Sequence, residues 1–524
     1  MRMLFFFFSI LAALYPAAAQ KSNAPERPAK QAVTARAAEI AAQVRDYRKA
    51  HEAAIVAEFT GLLAIPNIAT DTANIERNAT TIVAMLERRG FSTQQLGISG
   101  RGPVIFAEIK TPGAAHTVII YAHYDGQPVD PQAWTDSPPF VPVLRTDSIQ
   151  SGGKIIPFPA APAHYDDNWR IYARSSGDDK APIVALVAAL DALHAKNIPL
   201  AFNLKLFLEG EEEAGSPNLE RVANAHRGLL AGDLFINADG PVHQSGRPLV
   251  FFGNRGDIDL NITVYGPVRP LHSGHYGNWA PNPAYNLARL LTSMKDADGH
   301  VLVSGFYDDV TPLGPLELRA LQEMPDNDAE LMKALEFAQP EGRGRKLVEL
   351  INQPSLNIRG LRSAYVGEQS QNVVPDRAEA SLDMRLVKNV SPDRQFERLV
   401  EHIRKQGFYV TSAEPTAAER RTHPLVARVE KGTGYPASRT PMDLPVALNL
   451  VRIVAEATGE PVVQMPTSGG SSPMYIFENL GLQVIGLPIA NYDNNQHSQN
   501  ENIRLGNFWR GMEIFGALLA ELRW

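Results

Sequence analysis

Thr117-Val-Ile-Ile-Tyr-Ala-His-Tyr-Asp-Gly126 carries two signals in one short stretch. Its first half is an uninterrupted run of β-branched and aromatic residues, the composition of a strand buried on both faces. Its second half turns polar at once, with His123 and Asp125 ahead of Gly126. The same unit recurs along the chain. Apolar runs at 202–208, 234–236 and 483–487 each break into polar residues, and helical patterns lie between them. Residues 183–193 are almost wholly apolar behind Pro182, as in a helix that starts on a proline and packs on a sheet. Strands alternating with helices predict an α/β fold with a mostly parallel sheet.

From about Val250 the texture changes. Ile258, Leu260, Ile262 and Val264 alternate with Asp257, Asp259, Asn261 and Thr263, the period of a half-solvated strand, and Leu382, Met384 and Leu386 repeat it with Arg385 on the opposite face. Leu287, Leu290, Leu291 and Met294 mark an amphipathic helix between them. This is the pattern of an α+β domain inserted into the α/β domain. The charged stretch 318–346 reads as a solvated helix with loops. At 524 residues the chain exceeds the ~250–300 that one hydrophobic core fills. The expected division is a discontinuous main domain over 34–248 and 419–524, interrupted by an inserted domain over 249–418. Within the first part we expect a helix over 34–63 and another over 78–89, capped by Asn78.

The first 19 residues combine Met1-Arg2-Met3, an apolar run over 4–14 and an Ala17-Ala18-Ala19 exit, the three parts of a secretory signal peptide. The run is too short to span a membrane, which takes roughly 20 residues. Cleavage after Ala19 and a linker over 20–33 would release a secreted, most simply periplasmic, protein without a stable membrane anchor. A net charge of −7 supplies no basic footprint for nucleic acid. With no cysteine there is no thiol nucleophile, disulfide or thiolate metal site, so any metal must take nitrogen and oxygen ligands.

In an open α/β sheet, ligands bind beyond the carboxyl ends of the strands. The polar residues that follow the strand candidates are His123 and Asp125, Glu211-Glu212-Glu213, Asp239 and, further on, His497; Asp178 opens the apolar helix. Singly each has an ordinary explanation, since acidic runs are usually solvated and an Asp at a helix start is usually a cap. Together they put two imidazoles and several carboxylates on one rim, a costly crowd unless cations sit among them. Two divalent metal ions satisfy it: His123 and Asp239 on one, Glu213 and His497 on the other, Asp178 bridging. Asp125 is spaced to orient the His123 imidazole, which leaves Glu212 as the unligated general base. Zinc is the first expectation, and manganese or cobalt also suits such donors.

These residues resemble the co-catalytic zinc metallopeptidases that include carnosinase, cytosolic non-specific dipeptidase, aminoacylase and glutamate carboxypeptidase. The matching motifs run in the family's order: Tyr121-Ala-His-Tyr-Asp-Gly126, Ser176-Gly-Asp-Asp-Lys180, Glu209-Gly-Glu-Glu-Glu-Ala-Gly-Ser216, Asp239, Leu271-His-Ser-Gly274, Asn372-Val-Val-Pro375, Gly469-Gly-Ser-Ser-Pro473 and His497-Ser-Gln-Asn500. The length and the last motif look most like the dipeptidase branch. The resemblance implies that the inserted domain is a lid that forms a homodimer, and that His272 reaches the partner's site to stabilise the oxyanion. It implies further that Asn372, Arg385, Gly470 and Ser471 bind the substrate. The expected reaction is hydrolysis of the amide bond of a dipeptide or short peptide with a free carboxylate, by a metal-bridging hydroxide with Glu212 as base.

The alternative substrate is an N-acyl amino acid, which needs the same centre, and a more distant alternative is a non-catalytic solute-binding protein. A serine hydrolase is excluded because Gly97-Ile98-Ser99-Gly100-Arg101 lacks the final glycine of the nucleophile elbow. No phosphate loop or dinucleotide fingerprint is present. Between Leu144 and Arg170 stands an insertion with His164, Asp166 and Asp167, expected at the pocket mouth.

Overall fold

The computed structural model describes residues 36–97, 102–161 and 164–524. The signal segment and the linker lie outside the described residues, apart from which the chain folds around two sheets. Among the described residues no helix is long and apolar enough to cross a membrane.

The first sheet has eight strands, in the spatial order Ser92–Leu96, Val104–Ile109, Asn203–Glu209, Thr117–His123, Leu234–Asn237, Gln483–Gly486, Leu249–Phe251 and Val463–Met465. Its centre is parallel: Thr117–His123 pairs in parallel with Asn203–Glu209 on one side and Leu234–Asn237 on the other. The helices Arg36–Leu63, Lys180–Ala195, Pro445–Thr458 and Leu505–Glu521 join one core with the face carrying Val118, Ile120, Leu206 and Ile236. The opposite face, with Ile119, Tyr121, Phe207 and Phe235, is covered by Leu219–Ala225 and Tyr475–Asn479. Cover on both faces explains why the strands read as continuous apolar runs.

The second sheet runs in the order Ser355–Arg362, Arg377–Leu386, Gly253–Tyr265, Val426–Tyr435 and Tyr409–Thr411, and it is mostly antiparallel. Ile258, Leu260, Ile262 and Val264 pack with Leu287, Leu290 and Met294 of Pro283–Met294 and with Leu399 and Ile403 of Pro392–Lys405. The other face is polar, with Asp259 paired to Arg359 at 2.6 Å. This is the alternation anticipated for a sheet covered on one side.

Several expected boundaries move. Leu249–Phe251 still belongs to the first sheet, and Val426–Tyr435 pairs with Gly253–Tyr265. The second sheet therefore starts at 253, not 249, and reaches past 418, since Val426–Tyr435, Ser438–Arg439 and Ser468–Ser471 from beyond the expected return all pair with Gly253–Tyr265. The first helix is Arg36–Leu63, and the second is Thr72–Glu87, capped by Asp71, not by Asn78. Asn78 sits inside that helix, where its buried amide donates to Pro66 O and Asn74 O at 2.8 Å.

The stretch expected to be a solvated helix forms Pro315–Glu323, Asp328–Ala334 and, beyond it, Leu347–Ile351. It is only partly solvated: Leu321 and Met324 are buried with Leu249, Phe251 and Val463 at the edge of the first sheet. The 145–170 insertion contributes Ile155–Ile156 to a four-stranded sheet with Val143–Arg145, Arg170–Tyr172 and Asn502–Arg504. His164 faces Glu52 at 3.3 Å, and Asp166 accepts from the Asn168 amide, so both have partners of their own.

Candidate metal centre

Three parallel strands aim at one point. His123 is the last residue of Thr117–His123, Glu212 and Glu213 form a turn just after Asn203–Glu209, and Asp239 follows Leu234–Asn237 by two residues. Strand direction thus delivers an imidazole and three carboxylates to the same rim. Asp178 arrives from the turn before Lys180–Ala195, and His497 from the loop after Gln483–Gly486.

The distances make Asp178 the middle of the cluster. His123 Nε2 lies 2.9 Å from Asp178 Oδ1 and 3.9 Å from Asp239 Oδ1. His497 Nε2 lies 3.2 Å from Asp178 Oδ2 and 3.4 Å from Glu213 Oε2. Donor atoms of Asp178, Glu213 and His497 all fall within 4.8 Å of one another, and so do those of His123, Asp179 and Asp239 and of His123, Glu212 and Glu213. Among the described residues Asp178 Oδ2 is buried without an aligned hydrogen bond, the His497 imidazole standing beside it as an ion-pair partner. These are the dimensions and the donor chemistry of a His/carboxylate site for two divalent ions.

Electrostatics point the same way. Burial, and then the Asp178 charge, pushes Glu213 up to about 7 and Asp239 up to about 6. Glu212 is raised well above its ordinary value, mainly by burial. Burial works against charge on Asp178 too, but the neighbouring His123 and His497 outweigh it and hold this carboxyl below its usual range. His497 is raised to about 9, chiefly by Asp178. The carboxylates gather their positive charge from the two imidazoles, and bound cations would neutralise the same crowd directly.

Fixed partners hold the donors. The Asp125 carboxylate accepts from the backbone amides of Glu212 and Glu213 at 3.1 and 3.0 Å, with His123 Nδ1 3.4 Å from one of its oxygens. One buried side chain thereby sets both the imidazole and the acidic turn. Gln127 donates to Glu213 at 2.6 Å.

The residue that sequence reasoning missed is Glu501, which is 0% exposed. Its carboxylate accepts from the amides of Ser175, Gly177 and Asp178, each at 2.9 Å, and from Arg174 at 2.7 Å. It lies just past the His497 motif and so ties the Asp178 turn to the His497 loop. Its position four residues after His497 was the only signal available, and a lone Glu there is indistinguishable from a surface residue.

The centre opens into a cleft of about 580 Å³ lined by Asp178, Glu212, Asp239 and His497, with Gly470 and Ser471 on its wall. Arg385 reaches this wall, donating to Ser471 Oγ at 2.7 Å, with Asp383 and Asp257 3.4 and 3.7 Å from its guanidinium. His272 and Asn372 are elsewhere. They sit on an exposed two-stranded ribbon of the second domain, where the Ser273 amide donates to Asn372 O at 2.9 Å, apart from the residues that line the cleft.

Comparison with known proteins agrees with this geometry. The model of the family described as "Peptidase family M20/M25/M40" matches residues 119–521. The chain is 27% identical to the "Beta-Ala-His dipeptidase" of Homo sapiens over 433 residues, 80% of this chain and 77% of that one. It is also 27% identical to the "Cys-Gly metallodipeptidase dug1" of Schizosaccharomyces pombe over 456 residues, 84% and 88% of the two chains. Among solved structures, an M20 family metallo-carboxypeptidase from Sulfolobus solfataricus superposes with a TM-score of 0.72 at 28% identity, covering 89% of this chain and 98% of that one.

Proposed function

Because this chain belongs to peptidase family M20/M25/M40 and is a hydrolase of that family, we propose that it is a two-metal dipeptidase that cleaves the amide bond of dipeptides bearing a free C-terminal carboxylate. The observation that carries the reading is the Asp178 carboxylate set between His123 and His497, at 2.9 and 3.2 Å, at the floor of the cleft. The human and fission-yeast relatives, both named as dipeptidases, support the substrate class.

His123, Asp178 and Asp239 would hold one ion, and Asp178, Glu213 and His497 the other. When bound, the ions supply Lewis acidity toward the scissile carbonyl and toward water. Glu212 lines the cleft as a half-buried carboxylate whose proton affinity desolvation raises, so it accepts a proton from the attacking water and returns it to the departing amine. Asp125 keeps Glu212 in place through its backbone amide. Arg385, Gly470 and Ser471 receive the substrate carboxylate.

The enzyme acts as a homodimer through the second domain. Ser355–Arg362 is an edge strand of its sheet with Ile358 and Leu361 exposed, and Trp279, near the His272 ribbon, is 79% exposed. An open edge and a solvent-facing indole are the kind of surface a second copy covers. In that assembly His272 of the partner subunit completes the oxyanion site. The basic start, apolar run and Ala17-Ala18-Ala19 exit support export. Fractionation of the native host with sequencing of the mature N-terminus tests that point.

The deciding experiment is a ninhydrin assay of the purified protein against dipeptides, tripeptides and N-acetyl amino acids, with metal content measured in parallel. Metal-dependent release from dipeptides is expected, lost in EDTA and restored by Zn2+. Cleavage of N-acetyl amino acids with dipeptides untouched would assign the chain to deacylation instead.

A further inference from the structure

One wall of the cleft is not explained by metal binding or by the grip on a carboxylate. The helices Asp328–Ala334 and Leu347–Ile351 bring Leu331, Leu335, Leu347, Val348 and Ile351 to the same cleft that Glu212 and His497 line. Leu335 is 65% exposed and Leu347 46% exposed. A single exposed leucine needs no explanation. Five aliphatic side chains converging on a concave surface continuous with an active site do need one, since such a lining is what a ligand pocket uses to desolvate its guest.

The wall is also firmly built. Val348 packs against the buried set of Leu249, Phe251, Leu321, Met324 and Val463 at the edge of the first sheet. The apolar surface is therefore held in place by a small core of its own. Its position relative to the substrate follows from the glycine segment. Ser471 meets Arg385, and two residues earlier a Cβ on Gly469 would lie 3.3 Å from Ile351 Cδ1. The aliphatic wall thus begins where the carboxylate-binding end of the cleft stops.

We infer that Leu331, Leu335, Leu347, Val348 and Ile351 form the subsite for the side chain of the substrate's C-terminal residue, and that this residue is bulky and apolar. The inference rests on the dipeptidase reading and names its substrate class. A leucine, methionine or phenylalanine side chain entering this wall leaves water without stranding a polar group, whereas a charged or amide side chain would be desolvated against aliphatic carbon with no partner. Glycine or alanine at that position would leave the wall wet.

The test is kcat/KM of the metal-loaded full-length enzyme on Ala-Leu, Ala-Phe, Ala-Gly and Ala-Asp, for the wild type and for Leu335→Ser, Leu347→Ser and the double variant. The wild type is expected to prefer Ala-Leu over Ala-Gly by about tenfold or more, within the range that one or two methylenes supply in an apolar pocket. The double variant is expected to cut that ratio by about tenfold, mostly in KM, with the melting temperature within a few degrees because both side chains are solvent-facing. Equal wild-type rates on Ala-Leu and Ala-Gly, or an equal fall on both substrates in the variants, overturns the subsite and leaves the dipeptidase reading standing. No cleavage of any of the four dipeptides overturns the dipeptidase reading itself, and the subsite with it.

Discussion

The rim of the first sheet and the ribbon of the second domain hold their histidines in opposite ways. At the rim, His123, Asp125 and Asp178 are almost wholly buried, and backbone amides or paired side chains fix each of the carboxylates. On the ribbon, His272 is exposed, and its Nδ1 accepts from the nearby Gly274 amide at 3.1 Å. The rim assembles within one chain, because strands and turns from distant parts of the sequence converge there. The ribbon is the surface that the proposed homodimer would cover. Preorganisation is thus spent where charge must be confined, and the proposed role of the ribbon needs a partner to order it.

Glu212→Gln breaks the comparison most severely if it is wrong. With Asp125 still holding the turn, the variant should retain its metal content by elemental analysis while turnover falls by about 10²–10⁴. Near-normal turnover would remove Glu212 from the proton transfer.

Glu501→Gln tests how much of the rim is structural. It leaves Arg174 buried without its carboxylate, a loss of the kind worth about 3–5 kcal/mol. Urea unfolding should show that loss, and titration should show weaker metal binding because the Asp178 turn is released; unchanged stability would mean the turn is held by other contacts.

His272→Ala probes the ribbon. Turnover is expected to fall by about 10²–10³, the usual cost of an oxyanion donor, with the melting temperature unmoved. Mixing it with Glu212→Gln should recover part of the activity in heterodimers, and the absence of recovery would place the histidine's action within its own chain or outside catalysis.

The smallest effect belongs to the open edge strand. Leu361→Asp should change folding stability by no more than about 0.5 kcal/mol, as surface substitutions do, while analytical ultracentrifugation shifts toward monomer. A mass distribution identical to the wild type would move the interface elsewhere.

The site was legible from sequence to the extent that strand direction dictates it. Residues following an apolar run in a parallel sheet must emerge at one rim, so His123, Glu213 and Asp239 could be placed together before any distance was known. The same logic failed for Glu501, which acts by accepting amides from residues more than three hundred positions away in the chain. It failed also for the inserted domain's end, since the pairing of Val426–Tyr435 with Gly253–Tyr265 is a long-range register that no local pattern states. The charged composition of 318–346 concealed the leucines that it presents to the cleft, because helical periodicity in a short segment does not say which body its apolar face will meet.

What the amino-acid order determined by itself is the class of fold and the chemistry of the donors: alternating apolar strands and helices, no thiol, and histidine and carboxylate at the strand ends. Those properties are local, set by side-chain pattern and backbone direction. What only the tertiary structure decided is the placement of Asp178 between two imidazoles, the Glu501 clamp behind it, the aliphatic wall beside it and the separation of His272 from its own cleft. Each depends on distances between segments far apart in the chain, and these are fixed by the packing of the cores.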